Sequence, residues 1–247
     1  MLFKEFGNKN NPTILLIHGG GLSWWSWKAE IYILEKDYFV VVAIIDGHGE
    51  DYITPFISIE NSADKIINQI NEFYKGKIYG ICGLSIGAQI VTEILSKSPE
   101  ISKNCIIESA LLIPMEMITK LEVPMYNVFY GLINKRWYSK IQSKTLNISE
   151  ANFEEYYHDS CLMTKESLIN ITKSNGNYRV PATITDCNSN VIILVGSKEL
   201  SIMIKSARLL HEMIESSQLL ILEGYNHGEI SLKNPKEYVG LIDQYFR

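Results

Sequence analysis

The chain has no apolar run near the roughly 18 to 20 residues that span a bilayer, no C-x-x-C cysteine pair and no cluster of Lys and Arg. Each absence removes a class of protein. Without a long apolar run there is no membrane span, and the first stretch, MLFKEFGNKNNP, lacks the apolar core and cleavage site of a secretory leader, so a cytoplasmic location is expected. Without a basic patch, and with a formal net charge of -5, a nucleic-acid partner is excluded, because phosphate binding needs concentrated positive charge. No His or Cys pair has metal-ligand spacing, so no metal is expected. Neither a phosphate-binding G-x-x-x-x-G-K-[ST] nor a dinucleotide fingerprint occurs, so no cofactor is expected. Repeats, low-complexity tracts and linkers are also missing. The four cysteines, Cys82, Cys105, Cys161 and Cys187, read as buried thiols that pack like small apolar side chains.

What is present is a folded composition. With 247 residues, 46% of them hydrophobic and 21% charged, the chain can bury the core of one large α/β domain. Nearly continuous apolar runs at Thr13 to His18, Phe39 to Ile45, Ile78 to Gly83, Asn104 to Leu112, Val191 to Gly196 and Leu219 to Glu223 have the character of parallel strands covered on both faces. Between them Ile86 to Lys97, Ser201 to Ile214 and Pro235 to Phe246 have helical period, which gives a doubly wound, mostly parallel sheet. MLFKEFG adds at most one short strand, for a sheet of about six or seven strands whose free edge is compatible with a monomer or a homodimer. The interval from Pro114 to Asp186 has no buried strand. It carries helical patterns rich in Met and aromatics, with Ser149 and Thr164 placed as helix N-caps. The expected division is a core of residues 1–113 and 187–247 with a helical cap at 114–186.

Three stretches carry chemistry. GLSIG, Gly83 to Gly87, follows a strand and opens a helix, the context of a nucleophile elbow in which Ser85 is strained and both flanking glycines relieve crowding. A serine needs a base held by an acid. GSKE ends a later strand and presents Glu199, and GYNHG presents His227 in the loop after the next one. Glu108, at the end of an earlier strand, stays open as the rival acid.

On IHGGG, GLSIG, GSKE and GYNHG together, spread over most of the chain, the sequence resembles the α/β-hydrolase superfamily. The resemblance implies Ser85 as nucleophile, His227 as general base, Glu199 as the orienting acid and a helical cap. Two features depart from the usual pattern: the acid is a glutamate where aspartate is more common, and the loop DGHGED is short.

An attacked carbonyl becomes an oxyanion that fixed backbone N–H groups stabilise. Ile86 supplies one donor, and Gly20, with Gly21 next, the other. Of Trp24, Trp25 and Trp27, Trp24 is the candidate for the pocket wall, against helix-to-sheet packing for all three. His18 is read as a brace for the glycine loop, His48 as a polar turn residue, and His158 and His211 as surface positions. The expected activity is hydrolysis of small or medium apolar carboxylic esters through an acyl-enzyme. Thioester, amide or carbon–carbon bond cleavage, acyl transfer, and a non-catalytic small-molecule receptor are the alternatives.

Overall fold

The computed structural model describes residues 1–246, with the backbone alone for Asn127. Seven strands form one sheet: β1 (Leu2–Phe6), β2 (Thr13–Ile17), β3 (Phe39–Ile44), β4 (Ile78–Leu84), β5 (Ser102–Glu108), β6 (Asn190–Gly196) and β7 (Gln218–Leu222). Their order across the sheet is β1-β3-β2-β4-β5-β6-β7, all parallel except β1, which runs antiparallel to β3. The strands are apolar at successive positions because both faces are covered. Ile14 and Leu16 of β2 enter one core cluster, Leu15 and Ile17 the other.

The described residues form ten α-helices, eight between strands and two after β7: α1 (Lys28–Leu34), α2 (Ile59–Phe73), α3 (Ile86–Lys97), α4 (Glu116–Phe129), α5 (Arg136–Thr145), α6 (Phe153–Leu162), α7 (Lys165–Asn177), α8 (Ser201–Met213), α9 (Glu229–Lys233) and α10 (Pro235–Tyr245). Residues of α2, α3 and α8 pack on one face of the sheet, and residues of α1, α9 and α10 on the other. Helices α4 to α7 all fall between β5 and β6. Ser149 accepts a hydrogen bond from the Asn152 N–H and Thr164 from the Ser167 N–H, so both act as N-caps. Among the described residues no helix is long and apolar enough to cross a membrane.

The structure differs from expectation in several places. Helix α2 was not anticipated, although Ile59, Ala63, Ile66 and Ile70 lie buried at helical spacing behind an N-cap at Ser58. Strand β5 stops at Glu108 rather than Leu112, because Ser109 takes a positive φ of 56° that ends the extended run. Cys82, Cys105 and Cys187 are buried, but Cys161 is only half-buried, next to the buried Ser160 at the border of the packed face of α6.

Candidate active site

The elbow is built by crowding. Ser85 joins β4 to α3 with φ 56° and ψ −116°, a conformation that costs a residue with a Cβ. A Cβ on Gly83 would collide with the Gly87 carbonyl, and one on Gly87 with the carbonyls of Ile17 and His18, so neither position accepts a side chain. The Ser85 N–H donates to the Glu108 carbonyl at 2.9 Å, which anchors the turn to β5. Its Oγ makes no hydrogen bond among the described residues and lies at the wall of a cavity of about 770 Å³.

The imidazole of His227 is gripped from one side. Its Nδ1 lies 2.8 Å from Glu199 Oε2, so a proton on Nδ1 is donated to that carboxylate and Nε2 remains for proton exchange. The other oxygen, Oε1, accepts from the Gly196 N–H and from Ser109 Oγ, each at 2.7 Å. Burial pushes the Glu199 carboxyl up, but His227, Gly196 and Ser109 together hold it below the usual carboxylate range. The loop carrying His227 is fixed as well: Asn147 Nδ2 donates to the His227 carbonyl at 3.0 Å, and Lys233 Nζ to Asn147 Oδ1 at 2.7 Å.

Of the two rival acids, Glu199 is the one on the imidazole. Glu108 is 2% exposed and its Oε2 has no hydrogen-bond partner among the described residues. Burial, with the Glu199 charge nearby, pushes its carboxyl up to about 7.

The glycine run faces the same cavity. Gly20, Gly21, Ser85 and Ile86 all line it. Among the described residues the N–H groups of Gly20, Gly21 and Ile86 have no hydrogen-bond acceptor. Gly21 has φ 73°, which asks for glycine, whereas Gly20 has only ordinary contacts at 3.7 Å around a notional Cβ. His18 braces this loop: its Nε2 accepts from the Ile45 N–H at 3.1 Å, so Nδ1 carries the proton and donates to the Gly19 carbonyl at 2.9 Å. Full burial, with His48 close by, drives His18 down to about 3, so the ring is neutral.

Trp24 is not in the cavity wall. Its indole stacks on Phe6 and lies beneath the ammonium groups of Lys4 and Lys28, because the four-residue 3₁₀ turn at Trp24–Trp27 fans the three indoles apart. Trp25 donates to Asp159 Oδ2 at 2.7 Å and Trp27 packs on Tyr238. His48 is fully buried rather than a solvated turn residue, held by the Asp46 carbonyl and against His18. His158 is exposed, but His211 is half-buried and bonded to Ser217 Oγ at 2.8 Å.

Two residues that brace the site escaped the sequence reading. Ser109 and Asn147 both have positive φ, 56° and 57°. The signal for Ser109 was a polar pair, Glu108-Ser109, at the carboxyl end of a central strand, where open parallel sheets place their sites. Asn147 follows the end of α5, and Asn tolerates the left-handed conformation.

The chain belongs to the alpha/beta hydrolase fold family, whose model matches residues 12–186. Solved structures agree on the fold. A protein from Desulfitobacterium hafniense, described as an alpha/beta hydrolase family protein, superposes with a TM-score of 0.80 at 21% identity, covering 100% of each chain. A thermophilic esterase from Thermogutta terrifontis with malate bound gives 0.79 at 18% identity, over 100% of this chain and 92% of that one. A carboxylesterase from Nitrososphaera gargenis gives 0.79 at 17% identity, over 99% and 93%. No curated protein sequence matches the chain.

Proposed function

We propose that the protein is a serine hydrolase of small or medium apolar carboxylic esters. The observation that carries this reading is the His227–Glu199 pair at 2.8 Å, delivered by the loops after β6 and β7 to a molecule whose elbow serine lies at the wall of a largely apolar cavity. The segment from α4 to α7 acts as a cap, supplying the apolar wall through Tyr126, Phe129, Ile133, Met163 and Ile171.

In this reaction His227 Nε2 takes the Ser85 Oγ proton as Oγ forms a bond to the acyl carbon. The carbonyl electrons move to oxygen, where the N–H groups of Ile86 and of Gly20 or Gly21 receive the charge, helped by the N-terminal end of α3. The ester C–O bond then breaks, and the leaving alkoxide takes the proton from His227. Water, deprotonated by the same imidazole, attacks the acyl-enzyme and releases the acid and Ser85. Glu199 stays ionised and holds the ring. Catalytic hydrogen bonds of this kind tighten when substrate binds, and the Ser85–His227 bond is the one that must form.

Ser85 is expected to label with a fluorophosphonate probe, with no labelling of Ser85→Ala. A panel of aryl esters of increasing acyl length should show turnover. An unlabelled, inactive wild-type chain that still binds an apolar ligand would make the protein a receptor instead.

A further inference from the structure

The outward face of α4 is apolar. Met117, Leu121 and Val128 are 81%, 71% and 75% exposed, and they share one stripe because residues spaced i, i+4 and i+11 fall within a narrow arc of a helix. Ile118, 45% exposed, widens the same stripe. On α5, Trp137 and Ile141 are exposed one turn apart. A monomer in water gains nothing from such a surface, and contiguous exposed apolar area marks a contact.

Charge indicates what the contact is. The chain as a whole is acidic, at -5, yet the segment from Glu116 to Thr145 holds five basic residues against two acidic ones. Arg136 pairs with Glu154, whereas Lys120, Lys135, Lys140 and Lys144 make no salt bridge among the described residues. Apolar side chains with an exposed indole and lysines in the same segment are the combination that seats a helix in an anionic lipid interface. A second copy of the chain meeting this face by two-fold symmetry would instead set the same lysines against one another. The location agrees: Met125 and Phe129 of α4 and Tyr138 and Gln142 of α5 line the cavity at Ser85, so both helices stand between that cavity and the outer face.

We propose that the outer face of α4, with the exposed part of α5, docks reversibly on an anionic lipid surface. Such docking would set the cavity beside a reservoir of apolar molecules. The inference goes beyond the ester-hydrolase reading, and its test uses no turnover.

The full chain is sedimented with vesicles of phosphatidylcholine alone and with vesicles containing phosphatidylglycerol. Binding is expected to the second kind only, and to weaken as salt rises from about 0.1 M to about 1 M, where the screening length falls from about 10 Å to about 3 Å. Met117→Asp, Leu121→Asp and Val128→Asp combined, none of them in the cavity wall, should reduce vesicle binding by about tenfold or more. In case three acidic substitutions disturb α4, Lys140→Gln with Lys144→Gln provides a milder variant, expected to weaken binding by about fivefold per lysine. Ser85→Ala should bind as the wild type does, which separates this result from the fate of the hydrolase reading. Absence of vesicle binding, equal binding to neutral vesicles, or binding unaltered by both sets of substitutions would overturn the proposal. So would dimers that the aspartate substitutions dissolve while vesicles go unbound.

Discussion

Ser109 Oγ stands 2.7 Å from Glu199 Oε1 and 3.4 Å from the Gly228 N–H, so one hydroxyl donates to the carboxylate and accepts from the histidine loop. The preceding carbonyl, that of Glu108, accepts the N–H of Ser85. A single turn at the end of β5 therefore touches all three elements that carry the proposed triad. Removing the hydroxyl takes one of three donors from a buried carboxylate, a bond to a charged group worth about 1.5 to 3 kcal/mol. Ser109→Ala is expected to lower kcat at least about tenfold with little change in KM. Because Ser109 has φ 56°, Ser109→Gly should lose the same activity yet melt higher than Ser109→Ala. Full activity in either variant would remove Ser109 from its positioning role, and equal melting of the two would contradict the cost assigned to its φ.

Glu199 and Glu108 are separated by amide substitution. Glu199→Gln keeps the shape but no longer orients Nδ1 as a donor, and activity should fall by about four orders of magnitude. Glu108→Gln replaces a carboxyl that burial and the Glu199 charge push up to about 7, and that makes no hydrogen bond to His227 among the described residues. It should retain most turnover. Steady-state kinetics on an aryl ester decides, and the reverse ranking would transfer the acid role to Glu108.

The parts of this molecule legible in its sequence are those whose cause is local. Gly83 and Gly87 are imposed by backbone within the turn they flank, and the runs of β2, β3, β4 and β6 are apolar because each strand is covered twice. Ser149 and Thr164 cap their helices through bonds three residues away. What was not legible depends on distant partners or on orientation. Ser109 reaches Glu199 across 90 positions, and Asn147 reaches His227 across 80. Trp24 is a pocket candidate in sequence because it follows the glycine run at the start of a helix, but the direction of its indole is set by β1 and by Lys28, which composition does not encode. Helix α2 was legible in its isoleucine spacing and its Ser58 cap, and was overlooked because polar residues dilute the pattern.

A pH dependence of stability follows from two buried carboxyls. Burial pushes Glu30 up to about 8 and Glu108 up to about 7, from an ordinary 4.5, with the Glu108 charge adding to the rise at Glu30 and the Glu199 charge to the rise at Glu108. A raised carboxyl pKa means that the folded chain binds the proton more tightly than the unfolded chain does. Stability is then greatest below the unfolded value and falls as pH rises from about 4.5 towards about 8, by up to about 1.4 kcal/mol per pH unit for each group. Below that window the opposite sign takes over, because Glu199 and Asp46 are held below their usual values and lose their contribution when protonated. Up to pH about 6.5 two buried histidines oppose this fall, because His18 and His48 are held below the ordinary 6.5 and only the unfolded chain takes up their protons. The melting temperature should therefore decline from pH about 6.5 to pH about 8, and Glu30→Gln and Glu108→Gln should each flatten the decline. A melting temperature that climbs over this range in the wild type would contradict both shifts.

Adjacent glycines should fail in different ways. Gly21 has φ 73° with nothing within 4 Å of a notional Cβ, so Gly21→Ala is opposed by handedness alone, at about 1 to 2 kcal/mol, and should lower the melting temperature. Gly20 has no such conformation to lose, and its Cβ would meet only Ile171 and Ile86 at 3.7 Å, so Gly20→Ala should leave stability within about 0.5 kcal/mol of wild type. Its methyl group would enter the cavity beside Ser85, where the substrate carbonyl must approach the unpaired N–H groups. Gly20→Ala should thus lose turnover without losing stability, with bulky acyl groups affected more than acetyl. Thermal denaturation and an acyl-length series, run on both variants, distinguish a loop whose glycine serves the fold from one whose glycine serves the substrate. If Gly20→Ala turned over every ester as well as wild type, the oxyanion donor would have to be sought at Gly21.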